Sequence, residues 1–204
     1  MRYKELTFEG RNAVIEAFRS GKTIDKLFIL DGCQDGPIKS IVREAKKTST
    51  IINYVDKERL DRLANTGHHQ GVVAIGAAYE YADVEDILEA ARSKGEDPFI
   101  FILDEIEDPH NLGAIIRTAN LAGAHGVIIP KRRAVGLTAT VAKTSAGAIN
   151  YTPVAKVTNI AATIESLKKE GLWFVCADMG GETMYNLNLK GPIGLVIGNE
   201  GNGV

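Results

Sequence analysis

The chain has 204 residues, 45% of them hydrophobic and 25% charged, with a formal net charge of −2. That is ordinary globular composition, long enough to bury a core as one large domain or two small ones. Cys33 and Cys176 lie far apart and form no CxxC pair, which points to a reducing compartment and away from a disulfide framework. The start, MRYKELTFEG, has no apolar signal-peptide core. No apolar run approaches the roughly 18 residues of a membrane span. A cytoplasmic location and no membrane partner are therefore expected.

The charge is unevenly spread. Residues 1–79 carry 13 Lys/Arg against 10 Asp/Glu, residues 80–97 carry 2 against 7, and residues 98–204 carry 9 of each. An acidic middle hides a mildly basic first third, a hint of polyanion binding.

In chain order, GRNAVIEAFRSG (10–21) reads as a helix, with Val14, Ile15 and Phe18 at helical spacing. KLFIL (26–30) reads as a strand. PIKSIVREAKKT (37–48) is a second amphipathic helix with proline in its first turn. TIINYV (50–55) is β-branched and strand-like. DKERLDRLANTG (56–67) predicts a helix from an aspartate cap to Gly67. GVVAIGAAY (71–79) is a further strand, closing an α/β unit over residues 1–79. Residues 80–97 read as a polar linker holding one amphipathic helix, with Val84, Ile87, Leu88 and Ala91 on one face.

From residue 98 the pattern is regular. The apolar runs 99–103, 126–130, 172–177 and 194–198 alternate with helical segments, which predicts a mostly parallel sheet covered on both faces. Sites in such sheets lie beyond the carboxyl ends of the strands. The polar segments there are 104–111, 131–133, 178–182 and 199–203.

Several familiar chemistries are missing from the sequence. It contains no GxGxxG, no GxxxxGK[ST] and no GxSxG, and its four histidines and two cysteines have no metal-ligand spacing, so no metal is expected. Three segments remain unusual. DPHNLGAIIRTA (108–119) opens a helix whose stripe is Leu112, Ile115, Ile116, Ala119 and Ala122, with Arg117 pointing away from it. Taken alone, Arg117 reads as a solvated arginine and Asn111 as a helix cap. LVIGNEGNGV (195–204) runs a strand into a glycine-rich turn holding Glu200. VAKTSAGAINYTPV (141–154) reads first as close packing of small residues.

Together, LDEIEDPHNLGAIIRTANLAGAHGVII, KTSAGA and GLVIGNEGNGV resemble the SpoU (TrmH) family of RNA ribose 2′-O-methyltransferases. GRNAVIEAFRSGKTIDKLFI and NTGHHQGVVA resemble the small L30e-like RNA-binding domain of its 23S rRNA guanosine branch. The resemblance implies a catalytic α/β knot over 98–204 and S-adenosyl-L-methionine as cofactor. It implies a homodimer acting on ribosomal RNA. Asn111, Arg117 and Glu200 match the family's catalytic positions. Gly198, Gly201 and Ala177 match its cofactor loops. Arg11, Asn12, His68, His69 and Gln70 in the first domain, and Arg132 and Arg133 in the second, are the RNA-binding candidates. Family members continue past the position of Val204 into a third motif, so a truncated chain with weak cofactor binding and no turnover is expected. The competing readings are a non-catalytic RNA-binding protein and a tRNA ribose methyltransferase.

Overall fold

A computed structural model describes residues 6–199, 201 and 203. The chain divides into two compact units, 1–80 and 81–204.

In the first unit the strands are β1 (Leu6–Glu9), β2 (Ile24–Leu30), β3 (Ile51–Val55) and β4 (Val72–Gly76), in the order β1-β4-β2-β3. β4 runs antiparallel to both its neighbours, and β2 and β3 are parallel. Helices α1 (Arg11–Arg19) and α2 (Gly36–Lys47) cover one face, where Val14, Phe18, Leu27, Ile29, Ile38 and Ile41 form a core. The alternate residues Phe28 and Val73 meet Leu60 of α3 (Lys57–Leu63) on the other face. Asp35 and Asp56 cap α2 and α3, accepting from Ile38 N at 3.1 Å and Arg59 N at 2.7 Å. α3 stops four residues short of the Gly67 end expected from sequence. Glu9 is the physical reason: its carboxylate accepts from Asn65 N at 2.5 Å, Thr66 N at 3.0 Å and the Thr66 hydroxyl at 2.7 Å, pulling 65–66 out of helical geometry.

The second unit is a five-stranded parallel sheet. Its strands are β5 (Phe99–Leu103), β6 (Gly126–Pro130), β7 (Val154–Val157), β8 (Trp173–Ala177) and β9 (Ile193–Ile197), in the order β7-β6-β5-β9-β8. The helices are α4 (Val84–Lys94), α5 (Pro109–Leu121), α6 (Ala139–Thr144) and α7 (Ile160–Lys169). β5-α5-β6 steps towards one edge and β7-α7-β8 returns to the other. Right-handed crossovers therefore set α5 and α7 on opposite faces.

The amphipathic helix expected within residues 80–97 is present, and it belongs to the second unit. α4 starts at Asp83, whose N–H donates to Asp86 at 2.8 Å, and ends on left-handed Gly95. Its Ile87 and Leu88 pack with Ile100, Ile102, Ile128, Leu167 and Val196. Ile87 lies so close to Gly126 that a Cβ there would meet it at 2.6 Å. The segment 141–154 does pack closely, and it also leads into β7, the strand the apolar-run count missed.

Candidate functional site

The carboxyl ends of β5, β6, β8 and β9 carry the loops 104–108, 131–138, 178–192 and 198–203. β5 and β9 are direct neighbours, with Leu103 opposite Ile197. Their loops are stitched together. Asp104 N donates to Ile197 O at 2.9 Å, and Asn199 Nδ2 donates to Glu105 O at 3.0 Å. Asn199 Oδ1 accepts from Gly201 N at 2.7 Å, and the Asn199 backbone pairs both ways with Gly203. One amide side chain thus closes the glycine-rich turn and ties it to a loop 94 residues earlier.

Glu105 sits at φ +54° and Arg133 at φ +53°, conformations that cost non-glycine residues about 1–3 kcal/mol each. The two are paired, with Arg133 Nη1 2.6 Å from Glu105 Oε1. The carboxylate's hydrogen bond and charge hold the Arg133 guanidinium pKa above its ordinary value. Arg132 is exposed and has no partner among the described residues.

α5 leaves the β5 loop through Asp108, which accepts from His110 N at 2.6 Å, and Pro109 fills its first position. Leu112, Gly113, Ile116 and Ala119 are buried, Ile115 is half-buried and Ala122 is exposed, so the buried stripe is narrower than expected. Gly113 lets α5 lie against α6: a Cβ there would collide with the Thr144 hydroxyl and stand 3.0 Å from Ser145 N. Arg117 faces outward without a hydrogen-bond or ion-pair partner among the described residues. Asn111 is half-buried and engaged. Six residues of helix separate it from Arg117 by about 9 Å along the axis and by about 240° around it, so the two side chains diverge. Glu200 lies outside the described residues.

Ala177 ends β8 opposite Ile197 of β9, so Gly198 starts its loop beside Asp178. Gly201 lies further along that loop and is exposed. Over β8 and β9, on the face that α5 occupies, runs a trough of about 660 Å³. Val175, Ala177, Ile193 and Leu195 form its floor, and Asp178 and Glu182 also line it. Among the described residues no group of three His, Cys, Asp or Glu is placed to hold a metal ion. No helix among them is long and apolar enough to cross a membrane.

In the first unit the RNA-binding candidates divide. Asn12 and His68 are exposed. His69 is 7% exposed: its Nδ1 accepts from Gly71 N and its Nε2 faces Asp61 Oδ1, each at 3.0 Å. It is a strut of its loop and offers no ring to RNA, which corrects the sequence expectation. Arg11 is also committed, with Nη2 2.6 Å from Asp35 Oδ2 and Nε donating to Gln70 O at 3.2 Å. Gln70, at φ +50°, accepts from Arg11 N at 3.2 Å. Sequence reasoning missed Glu9, Glu105, Gly113 and Asn199, because their work depends on partners far away in the chain.

Comparison with known proteins agrees with this layout. A model described as the SpoU rRNA Methylase family matches residues 98–204, and one described as RNA 2′-O ribose methyltransferase substrate binding matches 8–82. The TrmH family relative YacO of Bacillus subtilis is 51% identical over 196 residues, covering 96% of this chain and 78% of its own length. A TrmH family relative from Staphylococcus haemolyticus is 46% identical over 202 residues, 98% of this chain and 81% of its own. In fold, the chain is similar to the SpoU methyltransferase AviRb of Streptomyces viridochromogenes, solved in complex with AdoMet. That match has TM-score 0.55 at 22% identity, covering 98% of this chain and 75% of AviRb. A rRNA methyltransferase from Sinorhizobium meliloti gives TM-score 0.53 at 24% identity, covering 99% and 74%. With both of its units matched and close relatives spanning nearly its whole length, the chain belongs to the SpoU rRNA methylase family.

Proposed function

We propose that this protein methylates the ribose 2′-hydroxyl of a guanosine in 23S ribosomal RNA, using S-adenosyl-L-methionine. The observation that carries the reading is the Asn199–Glu105 bond. It sets the turn after β9 against the loop that leads into Asn111 and Arg117, so both family signatures meet at adjacent strand ends.

The residues fit the cofactor. The trough's volume falls within the roughly 300–1,000 Å³ of small-molecule sites. Its apolar floor at Val175 and Ala177 suits an adenosyl group, and the carboxylates of Asp178 and Glu182 suit a cationic ligand. Gly198 and Gly201, in the next loop, allow close backbone approach. When bound, the cofactor supplies an electrophilic methyl on a sulfonium.

The chain's own residues do the rest. A 2′-hydroxyl is a poor nucleophile until its proton leaves. A guanidinium does not serve as a base, but that of Arg117 can grip the neighbouring phosphate and stabilise charge developing on the ribose oxygen. Asn111 and Glu200 are assigned to orient the ribose and the loop. Arg132 and His68, both exposed, are assigned to phosphate contacts. Because Arg117 diverges from Asn111, its complement is assigned to a second copy of the chain. Leu121, one turn from Arg117 on the same face and 81% exposed, supports burial there in a homodimer.

The test is transfer of labelled methyl groups to 23S rRNA and to tRNA, followed by digestion to nucleosides and mass spectrometry. 2′-O-methylguanosine from 23S rRNA is expected. Arg117→Ala should cut the rate by about 10²–10³-fold and weaken RNA binding by much less. Methylation of a base, of tRNA alone, or full activity in Arg117→Ala would overturn the reading.

A further inference from the structure

The first unit holds a second feature that its relation to RNA-binding domains does not explain. Between α2 and the edge strand β3 lies a notch of about 390 Å³. Its origin is topological. β3 presents Ile52 and then Tyr54 to the face that α2 covers, because they share the side of Ile29, the cross-strand partner of Tyr54. α2 shields Ile52 but not Tyr54, which remains 56% exposed at a position where a sheet-facing ring is normally covered. Ile38 and Val42 of α2 form the apolar floor. The loop that leaves β2 forms the rim with Asp31 and Gln34, and Asp31 N donates to Val55 O at 2.8 Å, which holds the Asp31 backbone against the residue that follows Tyr54. Lys39 also borders the notch, and its ammonium has no ion-pair partner among the described residues.

These groups match one chemistry. An exposed ring over an apolar floor takes a flat, unstacked base. An ammonium beside it takes the attached phosphate. The carboxylate selects among bases. Asp31 Oδ1 already accepts from Gly32 N at 3.1 Å and keeps a lone pair, and Oδ2 has no partner among the described residues. Two acceptor oxygens side by side need two adjacent donors, and only guanine offers them on its Watson–Crick edge, at N1–H and the N2 amine. Adenine and cytosine present a single amine beside an acceptor nitrogen, which a carboxylate repels.

We propose that this notch binds an unstacked guanine of single-stranded RNA, stacked on Tyr54, read by Asp31 and held at its phosphate by Lys39. The proposal rests on RNA being the substrate. The notch serves recognition of a guanine and takes no part in methyl transfer.

The test is fluorescence anisotropy with a labelled oligouridylate carrying one central guanosine, against the same strand with a central adenosine. The wild-type chain should prefer guanosine by roughly tenfold. Tyr54→Ala should weaken the guanosine strand by roughly tenfold, and Tyr54→Phe should restore it. Asp31→Asn should erase the preference while leaving the uridine-only strand bound as tightly or more tightly, since a negative charge is lost. No preference in the wild type, or a preference that survives Asp31→Asn or Tyr54→Ala, overturns the proposal. Methyl transfer is measured on the same preparations. A wild type that methylates rRNA without guanine preference sinks the notch alone. One that neither binds nor methylates any RNA sinks both readings.

Discussion

Gly113→Ala tests the geometry that carries Arg117. In an isolated helix this change would stabilise by about 1 kcal/mol, because alanine loses less backbone entropy than glycine. Here the new Cβ drives into the Thr144 hydroxyl, lies 2.8 Å from Thr144 Cβ and 3.0 Å from Ser145 N. The hydroxyl is not free to swing aside, since it donates to Thr140 O at 2.9 Å. α5 and α6 must separate, and overpacking of this kind costs about 1–3 kcal/mol. Ser145 is fully buried, so strain passes to backbone and not to a flexible side-chain end. The net expectation is a loss of about 1–2 kcal/mol, or a melting temperature lower by about 3–8 °C. Thermal unfolding by circular dichroism reads this directly. Thr144→Ala removes the colliding hydroxyl, so the double variant should lose less than the two single losses added together, by about 1 kcal/mol. Methyl transfer should fall in Gly113→Ala, since Arg117 lies one turn further along the displaced helix. An unchanged or raised melting temperature, or strict additivity with Thr144→Ala, would refute the claim that Gly113 sets the α5–α6 distance.

Asn199→Ala should weaken S-adenosyl-homocysteine binding by about tenfold in calorimetric titration while leaving RNA affinity alone, because it orphans Gly201 N and Glu105 O together. Unchanged affinity would show that the turn holds its shape without that amide. Glu9 gives a pH dependence. Burial pushes its carboxyl pKa up, but the hydrogen bonds from Thr66 and Asn65 outweigh it and hold the pKa below the ordinary value. A depressed carboxyl contributes stability that is present above about pH 4.5 and is lost as pH falls through the folded-state value. Glu9→Gln should cost about 1 kcal/mol at neutral pH, allowing for its partial exposure, and should flatten the acid limb of the stability curve. An acid limb identical to wild type would assign that loss to other carboxyls.

The architecture was legible where a physical rule is local. Unalternating runs such as FIFIL and GVIIP, short and separated by helical segments, suit strands buried on both faces and pointed to the parallel sheet. β7 escaped because VAKV is short and follows a run of small residues that reads as packing. α4 was legible as a helix but not as part of a core: its place depends on Gly126, some forty residues on. At the site, the sequence motif pointed to Arg117, and the structure places its side chain on the exposed side of α5. His69 misled because a histidine in a Gly-rich loop reads as exposed, whereas Asp61 and the Gly71 amide anchor both of its ring nitrogens. Glu105 carried no signal, because its positive φ and its bond to Asn199 exist only once β5 and β9 lie side by side.

That strand order also constrains the chain while it is being made. Among the described strands β9 comes last in sequence, yet it occupies the place between β5 and β8. Until residues 193–197 emerge from the ribosome, β5 keeps an open flank and β8 has no neighbour among the described strands. The nascent sheet therefore waits with unpaired, apolar edges exposed, the situation that invites association between growing chains. Pairings so distant in sequence are also slow to form. The sheet needs prompt delivery of β9, and synonymous codons that stall translation between 178 and 193 should lower the soluble yield.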